Sequence, residues 1–244
     1  MKYFWLMLQF LTRIPIKIEI SVHDGDLHNG IKYFPLIGLM IGSLNALFYL
    51  LIAMVCSKNI AIILGCLFVL LLTGALHLDG LADTCDGVFS ARPKEKILEI
   101  MKDSRIGSNG VIAIFFDLAL KIILLTEIKG SIIVKALVLA PVISKTAMVF
   151  LIHSSQPARQ DGLGTMFIGK SSKKDLFIAF GLGVFFALGL FPYQAAAILG
   201  INVLAMIIFR GYIAAKIGGM TGDTLGAANE VSEIVTLATL TFFR

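Results

Sequence analysis

Long apolar runs separated by short polar stretches dominate the chain. The runs are Tyr33–Val55, Ile60–Leu76, Val111–Thr126, Ile132–Ile152, Leu176–Tyr193 and Ala195–Ile213. Each approaches or exceeds the ~17–25 residues a helix needs to cross a bilayer. A shorter run, Val231–Phe243, spans only with a thinned bilayer or with extra residues from its start. The first segment, MKYFWLMLQFL (1–11), makes about 16 Å of helix, too short to cross. With no small-residue cleavage site after it, it reads as an interfacial or re-entrant helix kept in the mature protein. No apolar–polar alternation of the kind a half-buried strand needs occurs anywhere. The pattern predicts an all-α fold, a polytopic integral membrane helical bundle of about six or seven transmembrane helices plus an N-terminal interfacial helix. Gly38 and Gly42, four apart in the first span, suit close helix packing. Pro141 is expected to bend the fourth span.

Composition agrees. The 244 residues are 57% hydrophobic and 15% charged, with a mean hydropathy of +0.89. No polar stretch is long enough to fold separately, so residues 1–244 read as one membrane-embedded domain. The net charge of +5 is spread through short loops rather than a stripe, which argues against a nucleic-acid partner. Cys56, Cys66 and Cys85 are odd in number and lack C-x-x-C spacing, so neither a disulfide framework nor a zinc site is indicated. His23 and His28, in the polar connector Ser21–Gly30, read as exposed loop residues. With the spans above, fifteen Lys and Arg fall in one set of loops, while only Lys58, Lys129 and Arg244 fall in the other. The positive-inside bias puts the first set, and every polar motif below, on the cytoplasmic side.

The most informative stretch is His77-Leu78-Asp79-Gly80-Leu81-Ala82-Asp83-Thr84-Cys85-Asp86-Gly87. Asp79, Asp83 and Asp86 lie at i, i+4 and i+7, which a helix gathers within roughly 60° of one another. Three carboxylates on one face near a bilayer need a compensating cation. Mg²⁺ fits, because it takes oxygen ligands and keeps places for substrate phosphates. Gly80 and Gly87 flank that face, where they would let a ligand approach. His77 projects to the opposite side and is not counted as a ligand.

Three more polar stretches follow. In MKDSRIGSNG (101–110), Lys102, Arg105 and helix N-terminal amides suit a phosphate; an ordinary capping loop is the alternative. Arg159 and Asp161 stand in a glycine-bearing turn after Pro157. In GGMTGDTLGAANE (218–230), Asp223 and Glu230 share a helical face, although Asp223 also fits an N-cap, and the glycines imply a close backbone approach. Within the spans, Asp117 and Lys121 are placed to pair. Lys145 has no local partner, the pattern of a substrate-anion site.

HLDGLADTCDG, MKDSRIGSNG, DGLG and GGMTGDTLGAANE, in that order, together with FLTRIP (10–15) and YFPLIGLMIG (33–42), resemble the cobalamin synthase family, the adenosylcobinamide-GDP ribazoletransferases. Two positions depart from it: Lys145 where arginine is expected and Cys85 where a small residue is common. The resemblance implies a prokaryotic inner-membrane enzyme. It joins adenosylcobinamide-GDP to α-ribazole or its 5′-phosphate and releases GMP, with Mg²⁺ as cofactor and the bilayer as a partner; a homo-oligomer is left open. It implies Mg²⁺ on Asp79, Asp83 and Asp86, with Asp86 also as base and Lys102 and Arg105 on phosphate oxygens. Asp223 and Glu230 would hold a second metal or orient the nucleoside, and Arg13, Lys145, Arg159 and Asp161 would bind substrate. Two rivals remain. A CDP-alcohol phosphotransferase usually has Ala-Arg after its first Asp-Gly, where this chain has Leu81-Ala82-Asp83. A cation transporter needs carboxylates near the midplane, often in internal repeats, which the sequence lacks.

Overall fold

The computed structural model describes residues 2–243 except Glu19, Val22 and Asp24. Arg244, one of the three basic residues on the sparse side, lies outside the described residues. The described residues form α1 (Lys2–Leu11), α2 (Asp26–Asn29), α3 (Phe34–Ala53), α4 (Lys58–Thr73), α5 (Leu76–Val88) and α6 (Lys94–Ile100). Then follow α7 (Ser108–Glu127), α8 (Gly130–Ser154), α9 (Lys173–Leu190), α10 (Ala195–Ile217) and α11 (Gly222–Thr241). No strand occurs among them, and each apolar run is helical. Asp26–Ala53, Ser108–Glu127, Ile132–Ser154 and Ala195–Ile217 are each long and apolar enough to cross a membrane. The α4–α5 pair, bent by 90°, makes a fifth if it is one span. The sequence expectation of six or seven is therefore higher than length and hydropathy alone support. The difference lies in α9, with Lys173, Lys174 and Asp175 in its first turn, and in α11.

Helix α11 is buried along most of its length, from Thr224 to Leu240, and packs on α5, α7, α8 and α10. Protein rather than lipid surrounds it. That is why it tolerates Asn229, Glu230, Ser232 and Thr236 inside the bundle. Helices α3 and α8 meet through small residues. A Cβ on Gly42 would lie 2.7 Å from the Leu137 carbonyl oxygen, the acceptor that loses its helical donor because Pro141 has no N–H.

The 90° break between α4 and α5 is built at Gly74 (φ 64°) and Ala75 (φ 56°), both left-handed. Glycine tolerates this at no steric cost and ends the helix; alanine does not. The Arg13 guanidinium covers Gly74, and the Arg13 amide donates to Leu72 O at 2.7 Å. Arg13 therefore braces the break, and it is not among the residues lining the cavity described below. At the far end of the bundle the Lys58 ammonium donates to the Thr126 and Ile128 carbonyls, each at 2.7 Å, tying α4 to the C-terminus of α7. His23 is exposed, and His28 is half-buried in the short helix α2.

Candidate active site

At the opposite end from Lys58, helix α5 crosses the start of α11 at backbone distance. A Cβ on Gly80 would lie 2.7 Å from Asp223 O, and one on Gly226 would lie 3.1 Å from His77 O. Gly80, expected to admit a ligand, admits a neighbouring helix instead, while Gly226 makes the close backbone approach its glycine-rich stretch implied. Gly87 behaves the same way, pressed against Met101 and Ile97 of the next segment. The crossing sets Asp79 and Asp83 of α5 against Asp223 of α11. Asp79, Asp223 and Asp86 all act electrostatically on Asp83, opposed by Arg159.

Arg159 is delivered by a backbone bridge. Ala158 N donates to Met220 O (2.8 Å) and Met220 N to Gln156 O (2.9 Å), which joins the stretch after α8 to the α10–α11 turn. Gly218 (φ 78°) ends α10 in the left-handed conformation. Thr221 then opens α11, accepting from Thr224 N at 3.2 Å while Thr221 N donates to Thr224 Oγ1 at 2.8 Å. The cap is thus Thr221, and Asp223 is free for another role. Its carboxylate accepts from Arg159 Nη2 at 3.2 Å and from the Thr221 hydroxyl at 3.3 Å. Burial raises the Asp223 carboxyl above its ordinary range, against the pull of Arg159 and Thr221. Among the described residues, Arg159 Nη1 is buried without a hydrogen-bond partner.

These groups open on a cavity of about 280 Å³ whose lining includes Asp79, Gly80, Arg159 and Asp223 at one end. Phe10, Leu11, Phe34, Met148, Ile152 and Phe167 form apolar wall. His77, set aside from the sequence because it faces away from the aspartates, also lines this cavity. It is buried, and its Nε2 has no partner among the described residues. His77 also lines the smaller inner cavity described below; helical spacing gives a residue's direction but not the neighbours waiting there.

The remaining expected residues sort differently. Asp86 does not join the carboxylate group. Its oxygens accept from the amides of Gly107 (2.7 Å) and Gly110 (2.8 Å), so the amides expected to hold phosphate hold Asp86 instead. Side chains at Gly107 or Gly110 would strike that carboxylate. Lys102 pairs with Asp161 at 2.5 Å and Arg105 with Asp103 at 2.7 Å. These exposed pairs lie outside the cavity. Arg105 draws the Asp103 carboxyl down to about 2.

Glu230 is separated from Asp223. It binds Lys121 in a buried cluster where Lys121 also meets Glu233 (3.1 Å) and Asp117 (3.3 Å). Lys145 is not the lone cation its surroundings in sequence suggest: it donates to Asn229 Oδ1 at 2.7 Å, and Asn229 donates to Glu230 at 3.0 Å. Both lysines line a smaller inner cavity of about 70 Å³ that includes neither Asp79 nor Asp223. Lys121 and Lys145 thus balance buried carboxylates of the bundle core, and neither Lys145 nor Glu230 lines the outer cavity.

Among the described residues, no three His, Cys, Asp or Glu side chains converge as ligands of one metal ion. The chemistry of the donor set still fits a hard cation. The Asp79 and Asp83 carboxylates act electrostatically on one another and on Asp223 across the helix crossing, with Arg159 the cation opposing them.

Residues 3–241 match the family model described as cobalamin-5-phosphate synthase. The chain is 46% identical over 245 residues to an adenosylcobinamide-GDP ribazoletransferase of Clostridium novyi (strain NT), covering 100% of this chain and 98% of the relative. Identity to the protein of that name from Thermoanaerobacter sp. (strain X514) is 42% over 234 residues, 95% of this chain and 94% of the relative. For Escherichia coli (strain K12) it is 40% over 244 residues, 98% and 99%. No solved structure matches the chain significantly.

Proposed function

The chain belongs to the cobalamin-5-phosphate synthase family, and from that premise we propose that it joins adenosylcobinamide-GDP to α-ribazole or its 5′-phosphate in the outer cavity, giving adenosylcobalamin or its 5′-phosphate. A ribose hydroxyl oxygen forms a bond to the phosphorus that carries the corrinoid's aminopropanol arm. The bond from that phosphorus to the bridging oxygen breaks, and GMP leaves with the bonding electron pair. The hydroxyl proton passes to a carboxylate of the Asp79, Asp83 and Asp223 group. Phosphoryl transfer depends chiefly on positioning and charge neutralisation.

The observation that carries the reading is Arg159. The residue lines the cavity with its Nη2 held by Asp223, and among the described residues its buried Nη1 has no partner. A guanidinium so fixed suits a phosphate oxygen. Asp79 and Asp83, with Asp223, would hold Mg²⁺. When bound, the ion supplies neutralisation of the pyrophosphate and of the departing GMP. Asp86, committed to the α7 amides, is left out of this set. The distribution of basic residues supports site loops on the cytoplasmic side, and the reading puts the protein in a bacterial inner membrane.

The test is incubation of purified protein with Mg²⁺, adenosylcobinamide-GDP and α-ribazole, assayed for GMP. Release is expected, and prior metal removal with excess chelator is expected to abolish it. Full turnover under chelation would replace the metal reading with a purely cationic phosphate site. No GMP with both substrates and metal present would sink the proposed reaction.

A further inference from the structure

Arg159 stands between two carboxylates, and a third segment of the chain acts on one of them. Its Nη2 donates to Asp223 at 3.2 Å, while its Nε lies 4.0 Å from Asp161 Oδ1. Lys102 Nζ donates to the other oxygen of Asp161 at 2.5 Å. Gly162 closes the turn behind them with φ 91° and ψ 164°, a conformation open essentially to glycine alone. A Cβ there would lie 3.4 Å from Arg159 Nη2 and 3.5 Å from Nε, so the guanidinium lies across the turn that carries Asp161. We infer that Lys102 and Asp161 are positioning residues for Arg159: Lys102 anchors Asp161, and Asp161 with Asp223 fixes the orientation in which the guanidinium meets a phosphate. This rests on the reading of Arg159 given above and extends it to two side chains outside the cavity.

The contacts form a closed circuit around the site. Asp86 ties α5 to the amides of Gly107 and Gly110 at the start of α7. Lys102, just before that start, reaches across to Asp161. Arg159 continues to Asp223 of α11, and Gly80 brings α11 back against α5. In the Lys102–Asp161 link both side chains are exposed, at 47% and 63%, against 16% and 24% for Arg159 and Asp223. An exposed pair adds little to stability, so its consequence lies in where it directs charge. At 4.0 Å Asp161 is near enough to orient Arg159 by attraction but beyond hydrogen-bond range. Released from Lys102, its carboxylate would be free to close on the guanidinium and compete with a phosphate for the same N–H groups. The Lys102 hydrogen bond also holds the Asp161 carboxyl below its ordinary range, with Arg159 adding to it, so Asp161 carries its charge at neutral pH.

The experiment compares Lys102→Met, Asp161→Asn, the two combined, and the exchanged pair Lys102→Asp with Asp161→Lys. It reads kcat/KM for adenosylcobinamide-GDP beside melting temperature. Lys102→Met is expected to lower kcat/KM about two- to fivefold, the scale of an exposed ion pair. Asp161→Asn is expected to cost about tenfold or more, toward the ~100-fold that a 1 Å misplacement can cost. Melting temperature should stay essentially unchanged in both. The combined variant should be no worse than Asp161→Asn, because Lys102 acts through Asp161. The exchanged pair separates positioning from a mere tie between loops. A tie works in either polarity and would be repaired by exchange, whereas the ammonium brought by Asp161→Lys repels Arg159 and leaves turnover low. Recovery of kcat/KM in the exchanged pair, or wild-type kcat/KM in Asp161→Asn, overturns the inference. Equilibrium dialysis against inorganic pyrophosphate reads the same orientation without turnover: Asp161→Asn should retain it several-fold more weakly than the wild type, and equal retention counts against the inference. Should the wild type release no GMP, the proposed reaction fails, while the dialysis still decides whether Asp161 positions Arg159.

Discussion

Asp223 shows how much a single side chain's function depends on a neighbour that the sequence does not reveal. Read alone, an aspartate after Thr221-Gly222 is an N-cap candidate, but the cap is Thr221, and Asp223 spends its charge on Arg159, 64 positions away. Asp223→Ser should therefore leave the melting temperature nearly unchanged while turnover collapses. Near-normal turnover in a folded Asp223→Ser protein would confine the chemistry to α5. Asp83→Asn should likewise fold and lose at least roughly a hundredfold in turnover, the scale of removing one charge stabiliser from a reacting centre. Asp86→Ala should behave in the opposite way. It strips two amides at the start of α7 of their acceptor, at about 1–3 kcal/mol of stability. Melting temperature should fall along with activity, and an Asp86→Ala protein of wild-type stability would contradict the capping role. Helical register put Asp86 on the same face as Asp79 and Asp83, and α5 carries all three as expected. Only the packing of α7 against α5 showed which of them was already engaged.

At the scale of helices, the apolar periodicity located every long segment, because burial in lipid or protein demands the same side chains. It did not distinguish the two environments. Helix α11 looked short in sequence because its first half is polar, and it is polar because α5, α7, α8 and α10 cover it. The glycines show a similar limit: their spacing announces a missing side chain but not what takes its place. At Gly38 and Gly42 it is α8, as the small-residue spacing suggested. At Gly80 and Gly226 it is the α5–α11 crossing, where sequence alone pointed to a ligand at Gly80 and only to a close backbone approach at Gly226. Gly80→Ala would force the Asp223 backbone away and shift the carboxylates relative to one another. Overpacking of this kind costs about 1–3 kcal/mol. Melting temperature and turnover should both drop in Gly80→Ala, whereas a fully active, fully stable variant would show that the crossing is looser than its backbone distances imply.

For the molecule as a whole, the ordered motifs made the family legible from sequence, while the division into two compartments was not. The inner cluster joins Lys121 of α7 to Glu230 and Glu233 of α11, a pairing that intrahelical spacing cannot reveal. Orientation rests on a different kind of evidence, the distribution of basic residues, and can be tested independently of catalysis. The structure sets the cavity loops at one end of the bundle and Lys58, with the α7–α8 turn, at the other. Exposed Arg92 lies between α5 and α6, at the cavity end, and exposed Lys129 lies in the α7–α8 turn. In a protein carrying Cys56→Ser, Cys66→Ala and Cys85→Ala, a single cysteine is introduced as Arg92→Cys or as Lys129→Cys. A membrane-impermeant maleimide added to intact cells stripped of their outer envelope should label Lys129→Cys and spare Arg92→Cys until the cells are lysed. The positive-inside rule counts residues in short loops near span ends, and both positions qualify. The reverse labelling would turn the molecule over and place the outer cavity outside. There it would face away from any nucleotide substrate supplied by the cytoplasm, so the same outcome would also weigh against the proposed reaction.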